Sequence, residues 1–288
     1  MKNIIGLCFL FFTTIIIGYA QGDTTAYESV IYKKIDIAQL EMRVFLPPQR
    51  DSTHIYPAMV FFSGGGWYNC SLTQFEPQAR YFAERGIVCF LVEYRVWSSH
   101  RASIFDCIAD AKSSIRYIKG NANKFKIDEN KLIVVGGSSG GHLAAATAMT
   151  EGYDDPNDDL SVSSKPNALI LYNPVIDLGP SDAEVYGWIG EKYKDLSPLH
   201  NIKPETPPTI LFYGTEDGGI SMEASAYFCA AMKAVGNSCN LFLYEGQKHG
   251  FFNYDRSKVY YKKTTFEADN FLFSLGYLEG EPTIMNKE

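Results

Sequence analysis

The chain has 288 residues, enough for one large domain or two small ones, and its balance of 46% hydrophobic to 20% charged residues excludes a disordered or collagen-like polypeptide. A formal net charge of −7 with no basic run argues against a surface for nucleic acid or another polyanion.

The first element is an apolar leader. Lys2 gives a positive start, Ile4 to Ile17 is apolar apart from Thr13 and Thr14, and Gly18-Tyr19-Ala20 presents small residues where a signal peptidase reads. The run is too short for a comfortable membrane span. A signal peptide over 1–20 is therefore expected, with cleavage after Ala20, export to the periplasm or medium, no membrane association afterwards, and a single domain over 21–288. Cys8 lies inside the run and not at its end, so no lipoprotein site is read.

From Ser29 to Leu46 the pattern predicts two antiparallel strands, and then strands and helices alternate. Strands are expected at Ala58–Gly64, Ile87–Tyr94, Lys131–Gly136, Ala168–Pro174, Thr209–Gly214 and Asn240–Gly246. Helices are expected at Gln74–Arg85, Ile104–Ala122, after Gly141, and at Lys258–Leu275. Short, continuously apolar strands between helices imply a mostly parallel sheet covered on both faces, with ligands at the carboxyl ends of its strands. Asp177 to Pro208, with Tyr186, Trp188 and Tyr193, is the longest stretch without strong periodicity and is expected to make a small excursion over the site.

Six cysteines less Cys8 leave five, an odd number that cannot be fully paired within one exported molecule. Cys89 sits in an apolar strand and is expected in the core. Cys229, on a predicted helix, and Cys239, at the start of the next strand, are the favoured pair. No cysteine or histidine spacing suggests a metal site.

Chemistry is concentrated in "LIVVGGSSGGHLAAATAM", Leu132 to Met149, where a strand runs through a tight turn into a helix. The pattern G-x-S-x-G fits twice, with Gly136 and Gly140 around Ser138, or Gly137 and Gly141 around Ser139. Such an elbow exposes a serine hydroxyl at the tip of a sharp turn. Glycine spacing alone does not choose between the two. Ser138 is favoured because it follows the strand sooner and leaves the Ser139 N–H as the first donor after it; a plain helix-capping turn is the competing reading. Ser63-Gly64-Gly65-Gly66-Trp67, at the end of an earlier strand, frees backbone N–H groups to converge on one point, as an oxyanion hole requires, although a flexible turn would look the same.

A nucleophilic serine also needs a base and an acid to orient it, in the order Ser, Asp or Glu, His on this architecture. His249, directly after the last strand, is in position. His142 is expected to pack or cap, and His54, His100 and His200 to be surface or loop residues. Asp217 ends the preceding strand with Glu216 beside it, and only one of the two can face the ring. Asp177 is a rival, better explained as a turn former.

With "FFSGGGW", "EYR" at Glu93 to Arg95, "DCIADAKSSIRYIKGNA", "GGSSGGHLAAATA", "GTED" and "KHGFFN" in view, the chain resembles the α/β-hydrolase superfamily. Within it, the chain is similar to the acetyl esterase and feruloyl esterase-like branch, near the hormone-sensitive lipase relatives. The resemblance runs from about Ile31 to Gly276. It implies a mostly parallel eight-stranded sheet with helices on both faces. The branch's G-x-S-A-G-G pattern, aligned on Gly140-Gly141, implies Ser138 as nucleophile, with Ser139 standing where alanine is usual. Asp217 and His249 are implied as acid and base, and the N–H groups of Gly65, Gly66 and Ser139 as the oxyanion hole. Ser63 departs from the family, which often has His before the three glycines. With the first strand starting shortly after the leader, no large cap is expected, and an open site suits an oligosaccharide or polymer ester.

The expected activity is hydrolysis of carboxylic esters, acetyl or feruloyl groups on polysaccharide or oligosaccharide, without metal or organic cofactor. Trp67, Tyr68, Trp188, Phe251 and Phe252 are the expected aromatic contacts for substrate, with core packing as their alternative. The rival activities are a prolyl oligopeptidase-type serine peptidase and a non-catalytic binding protein of the same fold.

Overall fold

The computed structural model describes residues 17–18, 27–35, 38–51, 53–180 and 183–287. The leader expected at 1–20 lies outside the described residues except for Ile17–Gly18, which forms the two-residue strand β1. The remaining strands are β2 (Tyr27–Ile35), β3 (Ala38–Phe45), β4 (Tyr56–Phe62), β5 (Val88–Val92), β6 (Ile127–Gly137), β7 (Ala168–Tyr172), β8 (Thr209–Gly214) and β9 (Cys239–Tyr244). These are the eight strands expected from sequence. They lie in the order β1-β2-β3-β5-β4-β6-β7-β8-β9. β2, β3 and β5 pair antiparallel, and every pair from β5 through β4 to β9 is parallel. β6 begins earlier than its apolar run suggests, because Ile127 pairs with Tyr56 before the register shifts to Ala58↔Leu132.

The helices are α1 (Glu76–Glu84), α2 (Trp97–His100), α3 (Ile104–Gly120), α4 (Ala122–Phe125), α5 (Ser139–Met149), α6 (Ala183–Ile189), α7 (Tyr193–Leu196), α8 (Met222–Ala234) and α9 (Lys258–Ser274). α3 starts where it does because Ser103 and Asp106 form a reciprocal capping box. α8 and α9 start at Ser221 and Ser257, whose hydroxyls accept from Ala224 and Tyr260 N–H.

Alternation along the strands divides the core. Ala58, Val60 and Phe62 of β4 pack on one face with residues of α3, α5 and α8, while Met59 and Phe61 pack on the other with α1 and α9. Each large side chain fully buried this way contributes about 1.5–3 kcal/mol relative to exposure. Cys89 is buried as expected, and Cys229 on α8 is bonded to Cys239 at the start of β9.

The 177–208 interval carries α6, α7 and two short 3-10 turns at Gly190–Lys192 and Pro198–Asn201. It is held at its base by Leu199 N–H to Ile176 O and by Leu178 N–H to Ser197 Oγ. Among the described residues no helix is long and apolar enough to cross a membrane. The register sets the site: Phe62 pairs with Gly136, Gly137 with Tyr172, Tyr172 with Phe212 and Gly214 with Tyr244. The loops that follow β4, β6, β7, β8 and β9 therefore leave one edge of the sheet together.

Candidate active site

The elbow distinguishes its two serines. Ser138 has φ 55° and ψ −125°, a conformation that L side chains rarely adopt, whereas Ser139 is the first residue of α5, buried, with its hydroxyl unpartnered. A Cβ on Gly136 would lie 2.1 Å from Gly140 O, and one on Gly140 would lie 2.2 Å from Phe62 O. Those contacts are backbone on backbone, so the glycines two before and two after Ser138 permit strand, helix and β4 to approach. At Gly137 and Gly141 the nearest obstacles are side chains, Phe252 at 2.7 Å and Pro174 at 2.8 Å. The Ser138 backbone is pinned by its N–H to Tyr172 O at 2.9 Å, and its carbonyl accepts from His142 and Val175. The N-terminal N–H groups of α5 have no helical acceptor and carry the positive end of the helix dipole.

The turn at Ser63–Trp67 stands against this elbow. A Cβ on Gly64 would come within 3.0 Å of Gly137 O and 3.2 Å of Ser138 Cβ. Gly65 and Gly66 have φ of 147° and 63°, and their N–H groups have no hydrogen-bond partner among the described residues. Ser63 is buried, and its Oγ accepts from Ser71 N–H at 2.9 Å, closing the turn.

His249 follows β9, and its Nδ1 is 2.8 Å from Asp217 Oδ2. Asp217 Oδ2 also accepts from Asn173 Nδ2 at 2.8 Å, and Oδ1 accepts from Gly219 N–H at 3.0 Å. Its side chain is fully buried, whereas Glu216 is exposed. Burial alone would push the Asp217 carboxyl up. The hydrogen bond from His249, that ring's charge and the N–H groups of Gly219 and Ile220 outweigh it and hold the carboxyl below the ordinary carboxylate range. With a carboxylate on Nδ1, the neutral ring carries its proton there and presents Nε2 as a base. Nε2 has no hydrogen-bond partner among the described residues.

Ser138 and His249 line one cavity of about 1080 Å³, together with Gly66, Trp67, Tyr68, Asp177 and Trp188. Its apolar wall is built by Ile104 and Phe105 from the first turn of α3, Val175 and Ile176 after β7, and Val185 and Ile189 of α6. Tyr68 and Trp188 are about half exposed on this wall. Phe251 and Phe252 depart from the expectation of substrate contact. Both are buried away from the cavity, Phe251 against Tyr244 and Tyr260, and Phe252 against Phe75 and Tyr172. The short "KHGFFN" segment turns immediately after His249, which carries the two rings back under the sheet.

Asp177 behaves as a turn former, accepting Gly179 N–H at 3.0 Å. His142 is fully buried on α5, edge-on to Trp67, with Nε2 3.1 Å from Leu196 O. Burial pushes its pKa down to about 4. His54 is exposed beside Tyr56, and Val96 N–H donates to His100 Nδ1. Among the described residues no group of three or more His, Cys, Asp and Glu is arranged to hold a metal ion.

Sequence reasoning missed Asn173. It is buried at the end of β7 with φ 41°, and its amide holds the Asp217 carboxylate. The available signal was an amide side chain between a strand end and Pro174. The apolar wall was missed because nothing in the periodicity of α3 marks its first turn as facing the site.

The BD-FAE family model matches residues 42–232. Among curated relatives, an acetylxylan esterase from Xylanibacter ruminicola is 26% identical over 75% of this chain and 44% of its own length. Esterase LipC from Mycobacterium tuberculosis is 28% identical over 68% of this chain and 53% of its own. The chain spans about half the length of the curated relatives it matches. Among solved structures, Thermogutta terrifontis esterase 2 phosphoramylated by tabun superposes with a TM-score of 0.85 at 41% identity, covering 88% of this chain and 97% of that one. The propionate-bound form of that esterase gives 0.85 at 40% identity, with 88% and 96% covered. The chain belongs to the BD-FAE family and has the α/β-hydrolase fold of its esterase relatives.

Proposed function

We propose that the protein is an exported serine esterase acting on acetyl or feruloyl esters of oligosaccharide or polysaccharide. The observation that carries this reading is the Asp217–His249 hydrogen bond, 2.8 Å long, beside a cavity that Ser138 also lines. Ser138 Oγ attacks the ester carbonyl while His249 Nε2 takes its proton. The carbonyl oxygen becomes an oxyanion against the N–H groups of Gly65, Gly66 and Ser139, at the positive end of α5. His249 returns the proton to the departing alcohol, leaving an acyl group on Ser138. Water then repeats the sequence and releases the acid.

The substrate class is supported by the acetylxylan esterase among the relatives and by the half-exposed rings of Tyr68 and Trp188, flat surfaces of the kind sugars and aryl acyl groups stack on. Export is supported by the apolar leader and by the Cys229–Cys239 disulfide, which suits an oxidising compartment. The test is a panel of acetylated and feruloylated oligosaccharides with products identified by mass. Release of acetate or ferulate, abolished in Ser138→Ala, is expected. Turnover of aminoacyl arylamides with no turnover of any ester would replace this reading with the peptidase one.

A further inference from the structure

The turn that supplies two of the oxyanion donors is made almost wholly of glycine, so its peptides can flip at little cost unless something holds them. Two side chains hold the Ser63–Gly64 peptide at both ends. Tyr94 Oη donates to Ser63 O at 2.7 Å, and Gly64 N–H donates to Gln74 Oε1 at 2.7 Å. Gln74 does not end there. Its Nε2 donates to Asn253 Oδ1 at 3.0 Å, and Asn253 Nδ2 donates in turn to Gly250 O at 2.8 Å. Asn253 N–H reaches the same carbonyl at 3.1 Å. Gly250 is the residue after His249 and has φ 76°, so its carbonyl belongs to the turn that aims the imidazole.

We propose that Gln74 and Asn253 are positioning residues that lock the glycine turn to the loop bearing His249, so that oxyanion donors and base move as one body. This inference rests on the serine-esterase reading of the site. The relay has a direction: each amide accepts on the side of Gly64 and donates on the side of Gly250. Both groups at the ends are backbone and cannot change role, one being a donor and the other an acceptor. A carboxylate in either position therefore leaves two acceptors facing each other somewhere along the chain, whichever way the remaining amide turns. Neither Gln74 nor Asn253 lines the cavity that holds Ser138 and His249, so they act through the peptides they hold. The expected signature is a loss in kcat with KM little changed, because donors aimed at the developing oxyanion matter more in the transition state than in the bound substrate.

The experiment uses the isosteric variants Gln74→Glu and Asn253→Asp, and the uncharged double variant Gln74→Met/Asn253→Leu, which breaks the relay without setting two carboxylates against each other, assayed on p-nitrophenyl acetate with melting temperatures measured in parallel. Each single variant is expected to lower kcat about tenfold with KM within about twofold, and the double variant to be no worse than the poorer single, since both break one link. Gln74→Met keeps the side-chain length without its amide and reads the same link should a carboxylate variant not fold. Unchanged kcat in the singles, losses that multiply in the double, or losses confined to KM would overturn the proposal. A wild-type protein with no turnover would sink the serine-esterase reading itself, and the inference with it.

Discussion

Ser138 is held in a conformation that costs of order 1–3 kcal/mol, and its surroundings keep it there through three backbone hydrogen bonds and the flanking glycines. The sequence offered two overlapping elbows because four glycines surround two serines. Ser138 is favoured already by its place after the strand and by the aligned pattern; three dimensions add the physical reason, since at Gly136 and Gly140 a side chain would meet backbone within about 2.2 Å, closer than anything at Gly137 or Gly141. Asp217 was legible, because it ends a strand ahead of His249. Asn173 was not, since its role depends on two neighbouring strands ending level. Asp217→Asn keeps the shape of the site but removes the acceptor charge that fixes the His249 tautomer. It should lower kcat for an aryl acetate by about 10³–10⁴-fold with the melting temperature little changed. Steady-state kinetics beside a thermal melt checks this, and a loss under tenfold would contradict the assigned role.

His142 carries a second prediction at this scale. Its folded pKa of about 4 lies below the ordinary 6.5, so between those values the unfolded chain binds the extra proton. The stability owed to a neutral His142 is complete above about pH 6.5. It is lost as pH falls toward 4, by roughly 3 kcal/mol from this one ring. Urea midpoints measured across the window should fall in the wild type and fall less in His142→Asn; equal falls would show that another group governs acid sensitivity.

Among the elements, α3 does more than cover the sheet. Asp110, fully buried on it, accepts from Arg95 N–H, Nε and Nη2 and from Lys33 Nζ, at 2.7 to 3.0 Å. These bonds clamp β2 and the segment after β5 onto the helix whose first turn forms part of the cavity wall. The amphipathic period of α3 was readable and its start was found to the residue, but Asp110 reads in one dimension as an ordinary surface carboxylate. Its meaning comes from a lysine 77 positions earlier, brought near by the β2 pairing. Asp110→Asn removes the central carboxylate and leaves Lys33 paired with Asp155 and Arg95 with Asp106; the loss of its charged hydrogen bonds should destabilise the fold by about 1.5–3 kcal/mol, measured as a lower urea midpoint. A shift below 1 kcal/mol would mean that water enters the cluster.

At the scale of the molecule, five of the parallel strands, β4, β6, β7, β8 and β9, make the candidate site by ending at one edge, each contributing one loop: the glycine turn, the elbow, Asn173, Asp217 and His249. That plan was readable because continuously apolar strands alternate with helices. The cavity wall was less so. α6 lies in a segment without strong periodicity, and its three residues Val185, Trp188 and Ile189 turn what sequence suggested as an open site into one with an apolar side. The whole account depends on one hydroxyl being activated where these loops meet. Its most direct test is to treat the protein with a fluorophosphonate and locate the adduct by peptide mass mapping. The account predicts a single adduct on Ser138, absent from Ser138→Ala and slowed in Asp217→Asn. An adduct on Ser139, or no labelling of the folded protein, would contradict it.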